Sequence, residues 1–122
     1  MGVLIGGCGA PTARVDGART AGDAFERALA SGDGTSACGL LAPETLGQLE
    51  QDERKSCAVA IAAQGLPRAG AVRAIEVYGR QALLRLDGET LFLSQFAAGW
   101  KIVAAGCTPQ RERPYKCALK GG

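Results

Sequence analysis

The stretch that decides the fold runs from Ala71 to Ala105 and reads AVRAIEVYGRQALLRLDGETLFLSQFAAGWKIVAA. Branched and aromatic residues dominate it, and glycines interrupt it at intervals typical of short strands joined by tight turns. The dipeptide Asp87-Gly88 between two such runs is a strong hairpin signal. We therefore predict four antiparallel strands, which we place at residues 71–78, 81–86, 89–97 and 100–105.

The sequence before the strands carries helical periodicity. Apolar residues recur at spacings of three and four from near Thr20, and the glycine-rich segment 31–34 ends this first helix. A short second helix follows, with Thr35 or Ser36 as its cap. Pro43 suits the first turn of a third helix, because proline tolerates the position where a backbone N–H has no partner.

The segment before the strands ends with a charged run and an apolar run. Residues 51–55 mix charges of both signs, which indicates a solvated turn. The run Cys57–Ala63 predicts a buried helix and is far shorter than the ~20 residues of a membrane span. Helices followed by an antiparallel meander predict an α+β domain, with the helices packed on one face of a curved four-stranded sheet.

The amino-acid composition limits the number of domains and excludes some classes of function. A chain of 122 residues has enough interior for one domain, and with only 5% aromatic residues its core must be built from smaller aliphatic side chains. The net charge of +2 (14 basic minus 12 acidic) does not indicate a polyanionic partner, so we expect no nucleic acid. The absence of histidine excludes Ser-His and Cys-His catalysis within these 122 residues.

Five cysteines, Cys8, Cys38, Cys57, Cys107 and Cys117, are spaced too irregularly for a zinc knuckle or a thioredoxin-like site. Without Cys8, four remain, and they permit three pairings. We predict Cys38–Cys57 and Cys107–Cys117, because each pair closes a short local loop; the alternative is four reduced thiols in a cytosolic protein. The second pair would tie down residues 107–120 as a basic surface loop.

Cys8 follows Ile5-Gly6-Gly7, and this tetrapeptide resembles the lipobox of exported bacterial lipoproteins. The resemblance implies that Cys8 carries acyl chains and anchors the protein to the membrane outside the cytoplasm. Only a short apolar run precedes the box, so we expect the natural coding sequence to start upstream. The alternative is a glycine-rich tail with an incidental cysteine. We predict a flexible tether over residues 1–19 and a single domain over residues 20–122.

The whole pattern resembles the small lipoproteins of high-GC Gram-positive bacteria. The fragments that carry the resemblance include Leu41-Ala42-Pro43-Glu44-Thr45, Val77-Tyr78-Gly79, Leu91-Phe92-Leu93-Ser94 and Gly99-Trp100. These lipoproteins are similar in fold to the nuclear transport factor 2-like superfamily, a cone of bent sheet wrapped by helices. The resemblance implies an apolar pocket between sheet and helices, but none of the fragments is a catalytic signature.

Candidate site residues follow from strand alternation. Glu76 and Tyr78 are two apart and share a strand face, so a buried carboxylate beside a phenol would support proton transfer. This arrangement would suit a SnoaL-like or steroid isomerase-like enzyme. The alternative is that Glu76 faces solvent near Arg73 or Arg85.

The remaining aromatic residues of the strands are candidates for a pocket. Phe92, Phe96 and Trp100, together with Tyr78, would line a pocket or fill the core. We expect no metal and no cofactor, because phosphate-loop and calcium-loop spacings are absent.

The leading hypothesis is a non-enzymatic, lipid-anchored extracytoplasmic domain that binds a small apolar ligand or a membrane protein. A third hypothesis is a structural envelope protein without a pocket.

Overall fold

The computed structural model describes residues 12–121, which form four helices followed by five strands. The helices are α1 (Thr12–Ala30), α2 (Gly34–Gly39), α3 (Pro43–Glu53) and α4 (Cys57–Ala62). The strands are β1 (Val72–Tyr78), β2 (Gln81–Leu86), β3 (Glu89–Phe96), β4 (Gly99–Gln110) and β5 (Arg113–Lys120). They form one antiparallel meander in the order β1-β2-β3-β4-β5. The predicted α+β class is confirmed.

The predicted number of strands is wrong, because the C-terminal tail is not a surface loop. Strand β4 continues to Gln110, and β5 returns from Arg113 after a turn in which Glu112 has a φ of 56°. Pro109 and Pro114 argued against strands in this part of the sequence, because proline is confined to the edges and ends of sheets. The structure places both prolines at the outer end of the last strand pair, where a missing N–H is tolerated.

The two disulfides join the predicted pairs. Cys38–Cys57 connects α2 to α4, and Cys107–Cys117 connects directly paired positions of β4 and β5. Bridges of this kind contribute about 2–4 kcal/mol each, largely by restricting the unfolded chain. One disulfide thus stabilises the helical part of the chain and the other stabilises the sheet, in a protein with few aromatic residues.

Helix α1 begins at Thr12 rather than near Thr20, so the predicted tether of residues 1–19 is wrong over its second half. Ala18 is fully buried, and a Cβ atom at Gly17 would lie 2.8 Å from Cδ1 of Trp100. Gly17, which lies within the predicted tether, therefore marks a close contact between helix and sheet. Cys8 and the rest of the lipobox-like segment lie outside the described residues.

The other helix boundaries show smaller differences. Helix α2 is capped by Asp33 rather than by Thr35 or Ser36, and the Ser36 backbone N–H donates to Asp33 Oδ1 at 3.1 Å. Helix α3 begins at Pro43 as predicted but extends to Glu53, into the charged run that we expected to be a turn. Arg54, with a φ of 55°, then ends it.

Helix α4 is buried on one side only. Ala60 and Ile61 are buried, whereas Val59 is 57% exposed. None of the helices within residues 12–121 combines the length and the apolarity needed to cross a bilayer.

Strand alternation divides the sheet into two faces. On one face, Ile75, Leu84 and Leu91 are paired across β1, β2 and β3, and Val77, Ala82 and Leu93 form the next row. This core face shares a buried cluster with residues of the helices, which include Ala18, Ala21, Phe25, Ala37, Cys38, Leu49, Cys57, Ala60 and Ile61. Phe25, Leu84, Leu91, Leu93 and Ile102 have no exposed surface, so side chains fill the interior.

Replacing Gly22 by alanine is expected to destabilise the protein. A Cβ atom at Gly22 would collide with Cδ2 of Leu84, and overpacking of this kind costs about 1–3 kcal/mol. Gly47 in α3 is the matched control, since a Cβ atom there meets nothing within 4 Å. Gly47→Ala should instead stabilise the protein by roughly 0.5–1 kcal/mol, because glycine is a poor helix former. Urea denaturation measures both; equal effects of the two substitutions would contradict the close approach.

Candidate functional site

The sheet face opposite the core carries most of the predicted site residues. On it, Glu76 is paired through Leu83 with Phe92, and Tyr78 is paired through Gln81 with Ser94. Phe96 lies two residues beyond Ser94 and shares this face, which we call the outer face. The sequence thus correctly predicted that Glu76 and Tyr78 share a strand face.

The outer face forms one wall of an open groove of about 560 Å³, which we call the sheet groove. Its apolar lining includes Phe92, Phe96, Val103 and Ala104. The N-terminal turn of α3 forms another wall, held beside β4 because the Thr45 hydroxyl donates to the Val103 carbonyl at 2.9 Å. The groove therefore lies between the sheet and the start of a helix, on the side away from the filled core.

The aromatic rings of the sheet groove differ in exposure. Phe96 is 40% exposed, so part of its ring is open to solvent in the groove. Phe92 is half-buried, and its ring meets that of Tyr115 edge to face with centroids 5.0 Å apart. This contact fixes the Phe92 ring while leaving part of its surface to the groove.

Polar groups in the sheet groove are few. The Ser94 hydroxyl donates to Gln81 Oε1 at 2.9 Å, so these two side chains satisfy each other. Glu44 and Lys120 supply one charge of each sign to the lining. The groove therefore offers apolar contact with little net charge, which suits an uncharged apolar ligand.

Trp100 does not belong to this site. It is only 7% exposed, belongs to the buried cluster and lies against Gly17 of α1. Its neighbour Gly99 pairs with Phe96, and adjacent residues of a strand point to opposite faces. Of the four predicted pocket residues, Phe92 and Phe96 line the groove, Tyr78 lies on the same face outside it, and Trp100 packs in the core.

The predicted acid–tyrosine pair is formed, but on an open surface. The Tyr78 hydroxyl donates to Glu76 Oε1 at 2.8 Å, and Arg85 Nη2 lies 3.3 Å from Glu76 Oε2. Arg73 instead binds Asp87 through two contacts of 2.7 Å. The hydrogen bond to Glu76 and its negative charge raise the pKa of Tyr78. A phenol that donates a proton in catalysis needs the opposite shift, so this geometry does not favour proton transfer by Tyr78.

A second cluster, which the sequence analysis did not identify, lies in the interior. The carboxyl groups of Glu26 on α1 and Glu89 at the start of β3 are neighbours, and Glu89 raises the pKa of Glu26. Glu89 is 5% exposed, and its Oε1 accepts a hydrogen bond of 2.6 Å from the Gly106 backbone N–H. We call Glu26 and Glu89 the carboxyl pair. One feature of the sequence indicates that Glu89 is buried: it is spaced two and four residues from Leu91 and Leu93, and this spacing places all three side chains on the core face.

The carboxyl pair needs one proton. Oε2 of Glu26 and Oε2 of Glu89 are both buried, and neither has a hydrogen-bond partner in the protein. A proton held between the two carboxyl groups would supply the hydrogen bond that these oxygens lack. Burial, the hydrogen bond to Glu89 and the charge of Glu89 raise the pKa of Glu26 from 4.5 to about 8, while a backbone hydrogen bond from Ala69 opposes the rise. Glu26 therefore keeps its proton to a higher pH than an exposed glutamate does.

No set of three or more acidic, cysteine or histidine side chains suited to hold a metal occurs within residues 12–121.

The stability of the protein is expected to fall as pH rises from about 5 to about 9. The pKa of Glu26 is raised on folding, so its contribution is fully present below the ordinary value of 4.5 and is lost as pH passes through about 8. Thermal unfolding across this range measures the effect. Glu26→Gln keeps a neutral hydrogen-bond donor and should flatten the profile. A wild-type melting temperature that stays constant, or a variant with the same slope, would contradict this assignment.

Comparison of the chain with protein-family models, with curated proteins and with solved structures finds no match.

Proposed function

We propose that this protein is a lipid-anchored extracytoplasmic domain, without enzymatic activity, that binds a small apolar ligand in the sheet groove. The observation that carries the proposal is the groove itself: about 560 Å³ lined by Phe92, Phe96, Val103 and Ala104, on the face of the sheet opposite the core. Pockets of this size and apolar character are typical of sites for small molecules.

The division of the sheet into two faces supports this assignment. The core face is filled by side chains such as Phe25, Leu84 and Leu93, which leaves no room for a ligand there. The outer face carries exposed rings instead, and burying them against a ligand removes apolar surface from water. A ligand in the groove would thus replace solvent at a surface where the protein has left apolar area exposed.

We also infer that the fold is a variant of the cone-like arrangement of the nuclear transport factor 2-like superfamily, with helices on one face of a bent sheet. Helices and core face share one buried cluster, and register shifts interrupt three of the four strand pairings. Shifts of this kind bend strands. In this variant the space between helices and sheet is filled, and the ligand site is displaced to the outer face.

The proposed location outside the cytoplasm rests on the cysteines. Disulfides persist in oxidising compartments, and both bridges, Cys38–Cys57 and Cys107–Cys117, are formed. Cys8, which the lipobox-like segment places apart from the other four, would carry the acyl chains. Two or more chains are needed for stable anchoring. A membrane protein seated on the outer face is the alternative partner.

Phe96→Ala is expected to weaken binding of N-phenyl-1-naphthylamine, a neutral apolar fluorophore. The wild-type protein should bind the fluorophore with enhanced emission, and loss of the Phe96 ring should weaken affinity about tenfold, or ~1.4 kcal/mol. The matched control is Val59→Ala on α4, an exposed apolar residue outside the groove, which should leave affinity unchanged. Equal loss in both variants would contradict the groove assignment; absence of wild-type binding would favour the membrane-protein partner.

Acylation and oxidation of the natural gene product test the proposed location. Expressed from its natural gene in a high-GC Gram-positive host, the protein should partition into detergent, and Cys8→Ser should move it to the aqueous phase. Peptide mapping without reductant should recover the pairs Cys38–Cys57 and Cys107–Cys117. An unacylated product whose thiols react with an alkylating agent before reduction would rule out this location.

A further inference from the structure

The start of α1 and two turns of the sheet lie at one end of the domain. Arg14 Nη1 donates to the Gly79 carbonyl in the β1–β2 turn at 3.2 Å, and Gly17 lies against Trp100, just after the β3–β4 turn. Alternate turns of a meander lie at the same end, so both turns share this end of the sheet. We call this end the tip, and it comprises residues 12–15, 78–80 and 96–98.

The tip carries most of the exposed apolar surface. Within residues 12–121 the exposed large apolar side chains are Tyr78, Phe96 and Val59, and the first two belong to the tip. Tyr78 is 68% exposed, and the turn residues Ala97 and Ala98 beside Phe96 are exposed as well. Tyrosine is enriched where an apolar phase meets water, because its ring is apolar and its hydroxyl is polar. The tip therefore suits the surface of a lipid bilayer.

The tip is also positively charged. It contains Arg14 and Arg80 and no acidic residue, and the charges of Asp16 and Arg19, next along α1, cancel. The turns at the opposite end of the sheet carry charges of both signs and no exposed large apolar side chain. Arginine close to a membrane is attracted to anionic phospholipids. The two ends of the sheet thus differ in the two properties that membrane binding requires.

The chain segment that carries Cys8 enters the domain at the tip. Four positions separate Cys8 from Thr12, the first residue of α1, and they span at most about 14 Å. At 1.5 Å per residue, the 19 residues of α1 carry the chain about 28 Å away from the tip. On the way Gly22 lies against Leu84 of β2. An acyl group on Cys8 would therefore hold the tip, and not the opposite end, close to the lipid.

We propose that the tip rests on the surface of a membrane that contains anionic phospholipid, with Tyr78 and Phe96 in the interface and Arg14 and Arg80 at the phosphate groups. The orientation rests on the proposed acylation of Cys8, which brings the tip to the membrane. It also deepens the proposed function, because Phe96 belongs to both the tip and the sheet groove. One end of the groove then faces the bilayer, and an apolar ligand passes between lipid and groove without crossing water.

Chemical coupling of the full chain to vesicles tests the orientation without relying on acylation in a cell. The other four cysteines form disulfides, so Cys8 supplies the thiol that reacts with a maleimide lipid. The vesicles contain phosphatidylglycerol and lipids with brominated acyl chains, which quench tryptophan fluorescence at short range. Tyr78→Trp places the reporter at the tip. Val59→Trp is the matched control on α4, where Ala58 packs against Gly34 beyond the far end of α1.

The reporter at the tip should be quenched selectively. After subtraction of the emission of Trp100, brominated lipid should lower the emission of Tyr78→Trp about twofold and leave that of Val59→Trp unchanged. Tyr78 lies outside the sheet groove, so a lipid bound in the groove is not the source of this signal. Adding Arg80→Gln should weaken the contact about fivefold, since one arginine contributes about that much at an anionic surface. Adding Arg111→Gln, in the exposed turn at the opposite end, should not.

Three results would overturn the proposal. Equal quenching of the two reporters would show that the anchored domain has no preferred side towards the lipid. Stronger quenching of Val59→Trp would place the opposite end at the membrane. Quenching of Tyr78→Trp that is unchanged on vesicles of phosphatidylcholine alone would contradict the choice of an anionic surface. An unacylated natural product contradicts the proposed anchor but does not alter these measurements, so the two failures are distinguishable.

Discussion

The close approach of α1 to the sheet is the constraint on which the rest of the structure depends. Gly17 lies against Trp100 and Gly22 against Leu84, at positions where any Cβ atom would collide with those side chains. A chain with 5% aromatic residues cannot fill a wide space between helix and sheet, so the layers must lie close together. The small face of α1 makes that possible, and a fully buried Phe25 occupies the remaining volume.

This close approach also sets the chemistry of the two sheet faces. Once α1 lies directly on the core face, the carboxyl group of Glu26 is partly buried and lies beside that of Glu89. The interior is then complete, and the surplus rings Phe92 and Phe96 are left on the outer face. The same packing that closes one side of the sheet to ligands thus concentrates exposed apolar surface on the other side.

The sequence was most informative where local chemistry determines structure. Asp87-Gly88 forms the predicted turn between β2 and β3, Pro43 begins α3, and the short loops of Cys38–Cys57 and Cys107–Cys117 matched the bridges formed. Predictions from the sequence failed where the residues in contact lie far apart along the chain.

The failures share one cause. Gly17 was placed in a flexible tether because its contact, Trp100, lies more than eighty residues away in the sequence. The carboxyl pair was not recognised for the same reason, since Glu26 and Glu89 are more than sixty residues apart. The groove side chains Phe92 and Phe96 were identified from strand alternation, but the wall formed by α3 was not, because nothing local places a helix end beside β4.

The last strand has a consequence for self-association. β5 forms one border of the meander, and a bare border of this kind normally invites pairing with a second copy of the same strand. Here Pro114 offers no N–H for such pairing, and Arg113, Lys116 and Lys120 would bring like charges together. The basic, proline-containing tail that was expected to be a loop thereby disfavours pairing of this border of the sheet with another copy.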